Sequence, residues 1–149
     1  MAVAQRMSEQ DYEAFVLSGV EGLWELHDGR LVEKPGMSWE HTDTVAELVT
    51  LLRNQLDRKQ FGAVAESRVR RPTDTIFTPD VMVVPAASME QVCGRPGKLA
   101  IFPGPLPLVV EVWSVSTGSY DVDTKIPVYM ERGDQEIRRI QPYEQTLTS

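Results

Sequence analysis

Cys93 is the sole cysteine in the 149 residues, so no internal disulfide can form and the sulfur content points to no oxidising compartment. No apolar run approaches the roughly 20 residues needed to cross a bilayer. The opening segment MAVAQRMSEQDYEAF carries Arg6 but no sustained apolar stretch after it, so no secretory signal is expected and a cytoplasmic location is the default. Basic residues are outnumbered, 15 Lys and Arg against 22 Asp and Glu. The resulting net charge of −7 works against general attraction to a phosphate backbone, although it does not fix the local field. Repeats and low-complexity tracts are absent as well. What remains is 42% hydrophobic and 25% charged, the balance of a soluble globular protein. A chain of this length suits one domain that buries about two thirds of its unfolded surface.

Along the chain, Ser8 is placed to cap a short helix to about Leu17, with Tyr12, Phe15 and Val16 as its apolar face. The stretch LWELHDGRLVE turns at Asp28-Gly29, a strong hairpin signal, and predicts strands near 23–27 and 30–34. After Pro35-Gly36, Val45, Leu48, Val49, Leu52 and Leu56 recur at helical spacing and predict a helix over about 40–58. The alternation in AVAESRVRR, a turn at Pro72 to Asp74 and the run IFTPDVMVV predict two paired strands. The segment AASMEQVCGRPGKLAIFPGPLP holds four of the ten prolines and reads as a loop with one helical turn near Ser88. LPLVVEVWSVST is a continuous apolar run, the pattern of a strand covered on both faces. DVDTKIPVYMERG reads as a helix ending at Gly133, and QEIRRI as a final strand. This order predicts an α/β fold in which a mixed sheet is flanked by helices, preceded by a helix and a hairpin.

Three charged residues fall in apolar surroundings: Asp80 in FTPDVMVVP, Glu111 in LVVEVW and Lys125 at the start of the last helix. An unpaired buried carboxylate is costly, so such residues need a reason. A divalent cation is one: two hard oxygen ligands on adjacent strands can hold Mg²⁺ while leaving room for water and a phosphate, and a nearby ammonium can stabilise negative charge.

At these residues the chain resembles the putative restriction endonuclease family, a Uma-type domain of unknown function within the PD-(D/E)xK nuclease superfamily. WELHDGRLVE, the helix beginning near His41, TPDVMVV, VVEVWSVST, YDVDTKIPVY and RGDQEI carry the resemblance, in order and over most of the chain. It implies a restriction-endonuclease-like fold and a site that uses Mg²⁺ or Mn²⁺ to hydrolyse phosphodiesters. Asp80 matches the motif's first acid and Glu111 its second. The superfamily's lysine usually lies two residues beyond the second acid, where this chain has Trp113, and Lys125 in the next helix matches it instead. Lys125 must then reach back over the sheet. The implied partner is nucleic acid, DNA before RNA, without a membrane, and double-strand cleavage suggests a homodimer. Arg138 and Arg139 stand where the family often has an aromatic, and relatives commonly continue past the position of Ser149. A single domain lacking C-terminal elements is therefore expected, and a non-catalytic binding or assembly module of the same fold is the competing reading.

Each residue also has a plainer reading. Asp80 suits a turn after proline, and Lys125 suits a solvated helix face. The resemblance also marks Glu25, which either supports the site or pairs with a cation, and His41, either a hydrogen-bonded core histidine or a residue assisting at the phosphate. Glu66 is a possible third acid on the strand beside Asp80, and Ser114 and Ser116 either contact phosphate or cap a turn. Cys93 has no partner pattern for nucleophilic catalysis or zinc. Arg68, Arg70 and Arg71 form the densest basic patch, with Arg138 and Arg139 the second, and these are the available footprints for a nucleic-acid backbone.

Overall fold

The computed structural model describes residues 6–34, 38–112, 125–130, 133–141 and 146–148. Helix α1 (Glu9–Leu17) starts where expected, with the Ser8 side chain accepting from the Asp11 N–H and two acids in the first turn. Its buried Tyr12 donates to the Trp24 carbonyl at 2.6 Å and accepts from Arg68 Nε at 2.9 Å, which ties the helix to the first sheet. Strands β1 (Trp24–His27) and β2 (Arg30–Glu33) pair antiparallel from Trp24↔Glu33 to His27↔Arg30. Asp28 and Gly29 both have positive φ, 49° and 79°, the pair of values that a two-residue turn of the favoured hand requires.

Helix α2 (Trp39–Gln55) is capped by Ser38, whose side chain accepts from the His41 N–H. One stripe of it, from Val45 through Leu48, Val49 and Leu52, packs on Val81, Val110 and Val112. The two paired strands anticipated after it are one long hairpin broken at both arms. Its first arm gives β3 (Phe61–Ala65) and β4 (Arg68–Arg71), and its second gives β5 (Thr75–Phe77) and β6 (Val81–Pro85). The breaks coincide: Glu66 takes a positive φ of 49° and donates its N–H to the Asp80 carbonyl at 3.2 Å. On the open side of the break β3 pairs with β6, and on the turn side β4 pairs with β5.

The mixed sheet is consequently divided in two, with orders β2-β1-β5-β4-β7 and β10-β9-β8-β6-β3. Both are mixed, through parallel β4–β7 and β8–β9 pairs. Helix α3 (Ala86–Val92) extends the single turn anticipated near Ser88, and β7 (Ile101–Phe102) is a strand within the stretch read as loop. Strand β8 (Leu108–Val112) is buried on both faces: Val110 and Val112 meet α2, while Val109 joins a cluster with Met82, Val84, Phe77 and Tyr129. Residues 125–130 form a helix, α4, and Gly133, at φ 89°, donates to the Tyr129 and Met130 carbonyls. β9 (Ile137–Gln141) matches the final expected strand, and β10 (Thr146–Thr148) adds an antiparallel neighbour that had not been anticipated.

Candidate active site

The seam between the two sheets carries the charges. Asp80 follows Pro79 at the break in the hairpin and leads into β6, which pairs antiparallel with β8 through Val81↔Val110. Continuing that register by one residue sets Asp80 opposite Glu111, with both side chains on the face shared by Met82 and Val109. Asp80 is also tied to β8 by a side-chain bond, the Val112 N–H donating to Asp80 Oδ2 at 2.7 Å. Asp80 Oδ1 takes Lys34 Nζ at 3.2 Å and lies 3.1 Å from His41 Nε2. Lys34 also donates to the Thr78 carbonyl at 2.9 Å.

Glu111 and Lys125 form the other half. Lys125 Nζ lies 2.6 Å from Glu25 Oε2 and 3.3 Å from Glu111 Oε1, with the Phe77 ring centroid 5.4 Å away. Tyr129, one helical turn after Lys125, donates its hydroxyl to Glu111 Oε1 at 2.7 Å. Glu25 Oε2 also accepts the Thr78 N–H at 2.6 Å, and Glu25 Oε1 lies 3.1 Å from His27 Nε2. Beyond Tyr129 the network continues to Arg71, whose guanidinium lies 4.6 Å from the ring centroid and pairs with Asp134 at 2.9 Å.

Burial is the largest influence on both Glu25 and Asp80, and it opposes their ionisation. Lys125, His27 and Lys34 outweigh it at Glu25 and bring the carboxyl down to about 2. At Asp80 the Lys34 ammonium, His41 and the Val112 N–H do the same and hold the carboxyl below its usual range. Lys34 is held above the ordinary lysine value: burial and Lys125 push it down, but Asp80, Glu111 and Glu25 push it up by more. Burial, reinforced by Glu111 and Glu25, drives the Tyr129 hydroxyl well above 10, so it stays a donor.

Asp80, Glu111, Lys125, Glu25 and His41 are thus drawn together from five separate segments, and each is at most 1% exposed. Lys125 does reach back to the second acid. Glu66 does not join them, because the backbone turns there and leaves its side chain exposed, with only its N–H directed at Asp80. Ser114, Ser116 and Trp113 lie outside the described residues. Within the arginine patch, Arg71 is 3% exposed and paired with Asp134, Arg70 grips Glu9 at the surface, and Arg68 bonds Tyr12. Strand alternation turns Arg71 inward, which is why counting charges along RVRR misjudged it. Arg138 pairs with Glu136, while Arg139 lies beside Glu111 in the β8–β9 register.

Lys34, Tyr129, His27 and Thr78 were missed from sequence. Tyr129 was findable, since it follows Lys125 by four residues on one helix face, and His27 follows Glu25 by two on one strand face. Lys34 gave no such signal, because its partner Asp80 is 46 residues away.

The Uma2 family, described as putative restriction endonuclease, matches residues 10–149. This chain belongs to the Uma2 family. A crystal structure of a putative nuclease belonging to DUF820 from Anabaena variabilis ATCC 29413 matches the fold with a TM-score of 0.73 at 21% identity, over 91% of this chain and 76% of that one. No curated protein matches the chain. In this Uma2 member the two acids that the sequence marks for a metal, Asp80 and Glu111, face one another across β6 and β8, while among the described residues no group of three or more His, Cys, Asp or Glu is placed to hold an ion. Among those residues the connected acids Glu25, Asp80 and Glu111 exceed the lysines Lys34 and Lys125 by one charge. Also among them, no helix is long and apolar enough to cross a membrane.

Proposed function

We propose that this Uma2 chain is a divalent-metal-dependent nuclease of the PD-(D/E)xK type that hydrolyses phosphodiester bonds, with DNA as the first substrate to test. The observation that carries the reading is Asp80 set opposite Glu111 across adjacent strands, with the Lys125 ammonium on Glu111. The donors suit Mg²⁺ or Mn²⁺: they are hard carboxylate oxygens with an excess of negative charge. Mg²⁺ commonly takes only one or two carboxylates and fills its remaining positions with water and phosphate oxygens. Such an ion supplies the Lewis acidity that makes water nucleophilic near neutral pH and offsets charge on the phosphate.

The chain's own groups do the rest. His41 and the Val112 N–H fix the orientation of the Asp80 carboxylate, and Tyr129 fixes that of Glu111. Lys125, aimed by Glu25 and Glu111, steadies the negative charge that builds on the phosphate as water adds. Burial strengthens each of these interactions by lowering the local dielectric. A homodimer would bring two such sites to one duplex, and the cytoplasm suits an exposed free Cys93.

The test is incubation with plasmid, single-stranded DNA and RNA in Mg²⁺ or Mn²⁺, beside an Asp80→Asn variant. Cleavage that falls to background in the variant is the expected result, and cleavage that persists undiminished refutes the assignment. The near-complete burial of Asp80, Glu111 and Lys125 favours a second reading, a binding or assembly module. Metal binding without cleavage of any substrate decides for it.

A further inference from the structure

We propose that Lys34 is a built-in counter-ion to Asp80, a positioning residue whose ammonium a divalent ion must displace. The inference rests on the metal reading above. Lys34 follows β2 at the edge of the first sheet, yet its side chain is 1% exposed and ends at the seam, on Asp80 Oδ1 and the Thr78 carbonyl. A lysine is rarely buried so fully without a charge to answer, and here the charge is the carboxylate that faces β8. The two lysines of the cluster are not equivalent. Lys125 is shared by Glu25 and Glu111, so Glu25 retains it when Glu111 takes another partner. Among the described residues Lys34 has one carboxylate within pairing distance, and it is the candidate first ligand. A divalent ion approaching Asp80 Oδ1 meets an ammonium 3.2 Å from that atom, and the repulsion between them weakens metal binding. Lys34 thereby offsets the Asp80 charge in the metal-free site, which helps keep it folded, and sets a threshold concentration for loading it.

The measurement is Mn²⁺ affinity by calorimetry and by electron paramagnetic resonance on the full chain, for wild type, Lys34→Met, Lys34→Gln, Lys34→Arg and Asp80→Asn. Lys34→Met and Lys34→Gln are expected to bind Mn²⁺ roughly tenfold tighter or more. Both should also show a larger Mn²⁺-induced rise in melting temperature. Lys34→Arg, which keeps the charge, stays near wild type, and Asp80→Asn loses the site. The Gln variant retains a donor for the Thr78 carbonyl, so it guards against a Met variant that fails to fold. Unchanged or weaker Mn²⁺ binding in both neutral variants, with Asp80→Asn still losing the ion, overturns the role of Lys34 and leaves the metal reading standing. Absence of binding in every chain overturns both, and failure of the neutral variants to fold even in millimolar Mn²⁺ overturns the counter-ion role.

Discussion

Glu25→Gln isolates one charge in the buried network. The Gln carbonyl can occupy the position of Oε2 and still accept from the Thr78 N–H and Lys125, both 2.6 Å away, while its amide nitrogen faces His27. Shape and the bonds from Thr78 and Lys125 are kept, and the negative charge is lost. The Glu25 carboxyl falls from an ordinary 4.5 to about 2 in the folded chain. At about 1.4 kcal/mol per pH unit, that depression contributes about 3 kcal/mol at pH 7. The group is fully buried, so solvent screening takes little away, and the figure meets the low end of the roughly 3–5 kcal/mol lost when one partner of a buried ion pair is removed. Because the folded pKa is the lower one, this stability is complete above about 4.5 and drains away as pH falls toward about 2. The variant never has it. Urea unfolding of both chains between pH 7 and pH 2.5 should therefore show a gap of about 3 kcal/mol that narrows steadily below pH 4.5. Acid titration of Asp80 occurs in both chains and largely cancels in the difference. A gap that stays constant down to pH 2.5, or one below about 1 kcal/mol at pH 7, refutes the reasoning.

Tyr129→Phe removes the hydroxyl 2.7 Å from Glu111 and should cost about 1–3 kcal/mol in urea unfolding, with Mn²⁺ affinity reporting any loosening of the ligand. Asp134→Asn keeps an acceptor for the Leu106 N–H but leaves Arg71 buried without its anion, so a loss of about 3–5 kcal/mol is expected by the same assay. Gly29→Ala forces a Cβ into positive φ and to 2.9 Å from Arg6 Cβ, and the melting temperature should drop by an amount equal to about 1–2 kcal/mol. Ser38→Ala deletes the cap of the helix that carries His41 and should cost about 1 kcal/mol.

The sequence made the local features legible. Ser8, the Asp28-Gly29 turn and the apolar stripe of α2 announced their elements because each depends on residues within a turn or two. Asp80, Glu111 and Lys125 stood out because a charge inside an apolar run is locally anomalous. The division of the sheet was not legible, since the positive φ at Glu66 belongs to a residue type with no strong preference for it. Strands β7 and β10 are two and three residues long, too short to show a period. Lys34 escaped for a different reason: a lysine beside an exposed glutamate at a strand end looks solvated, and only the fold turns it inward.

The broken hairpin has a consequence for how this domain comes apart. Asp80 accepts from Lys34, just after β2, on one side and from the last residue of β8 on the other, so a single carboxylate is mortared into both sheets. Peeling either layer away costs that buried anion one of its partners, which makes separate melting of the layers unfavourable. The same residue proposed to cut nucleic acid thus serves as the keystone, and the two halves should be lost in one cooperative step.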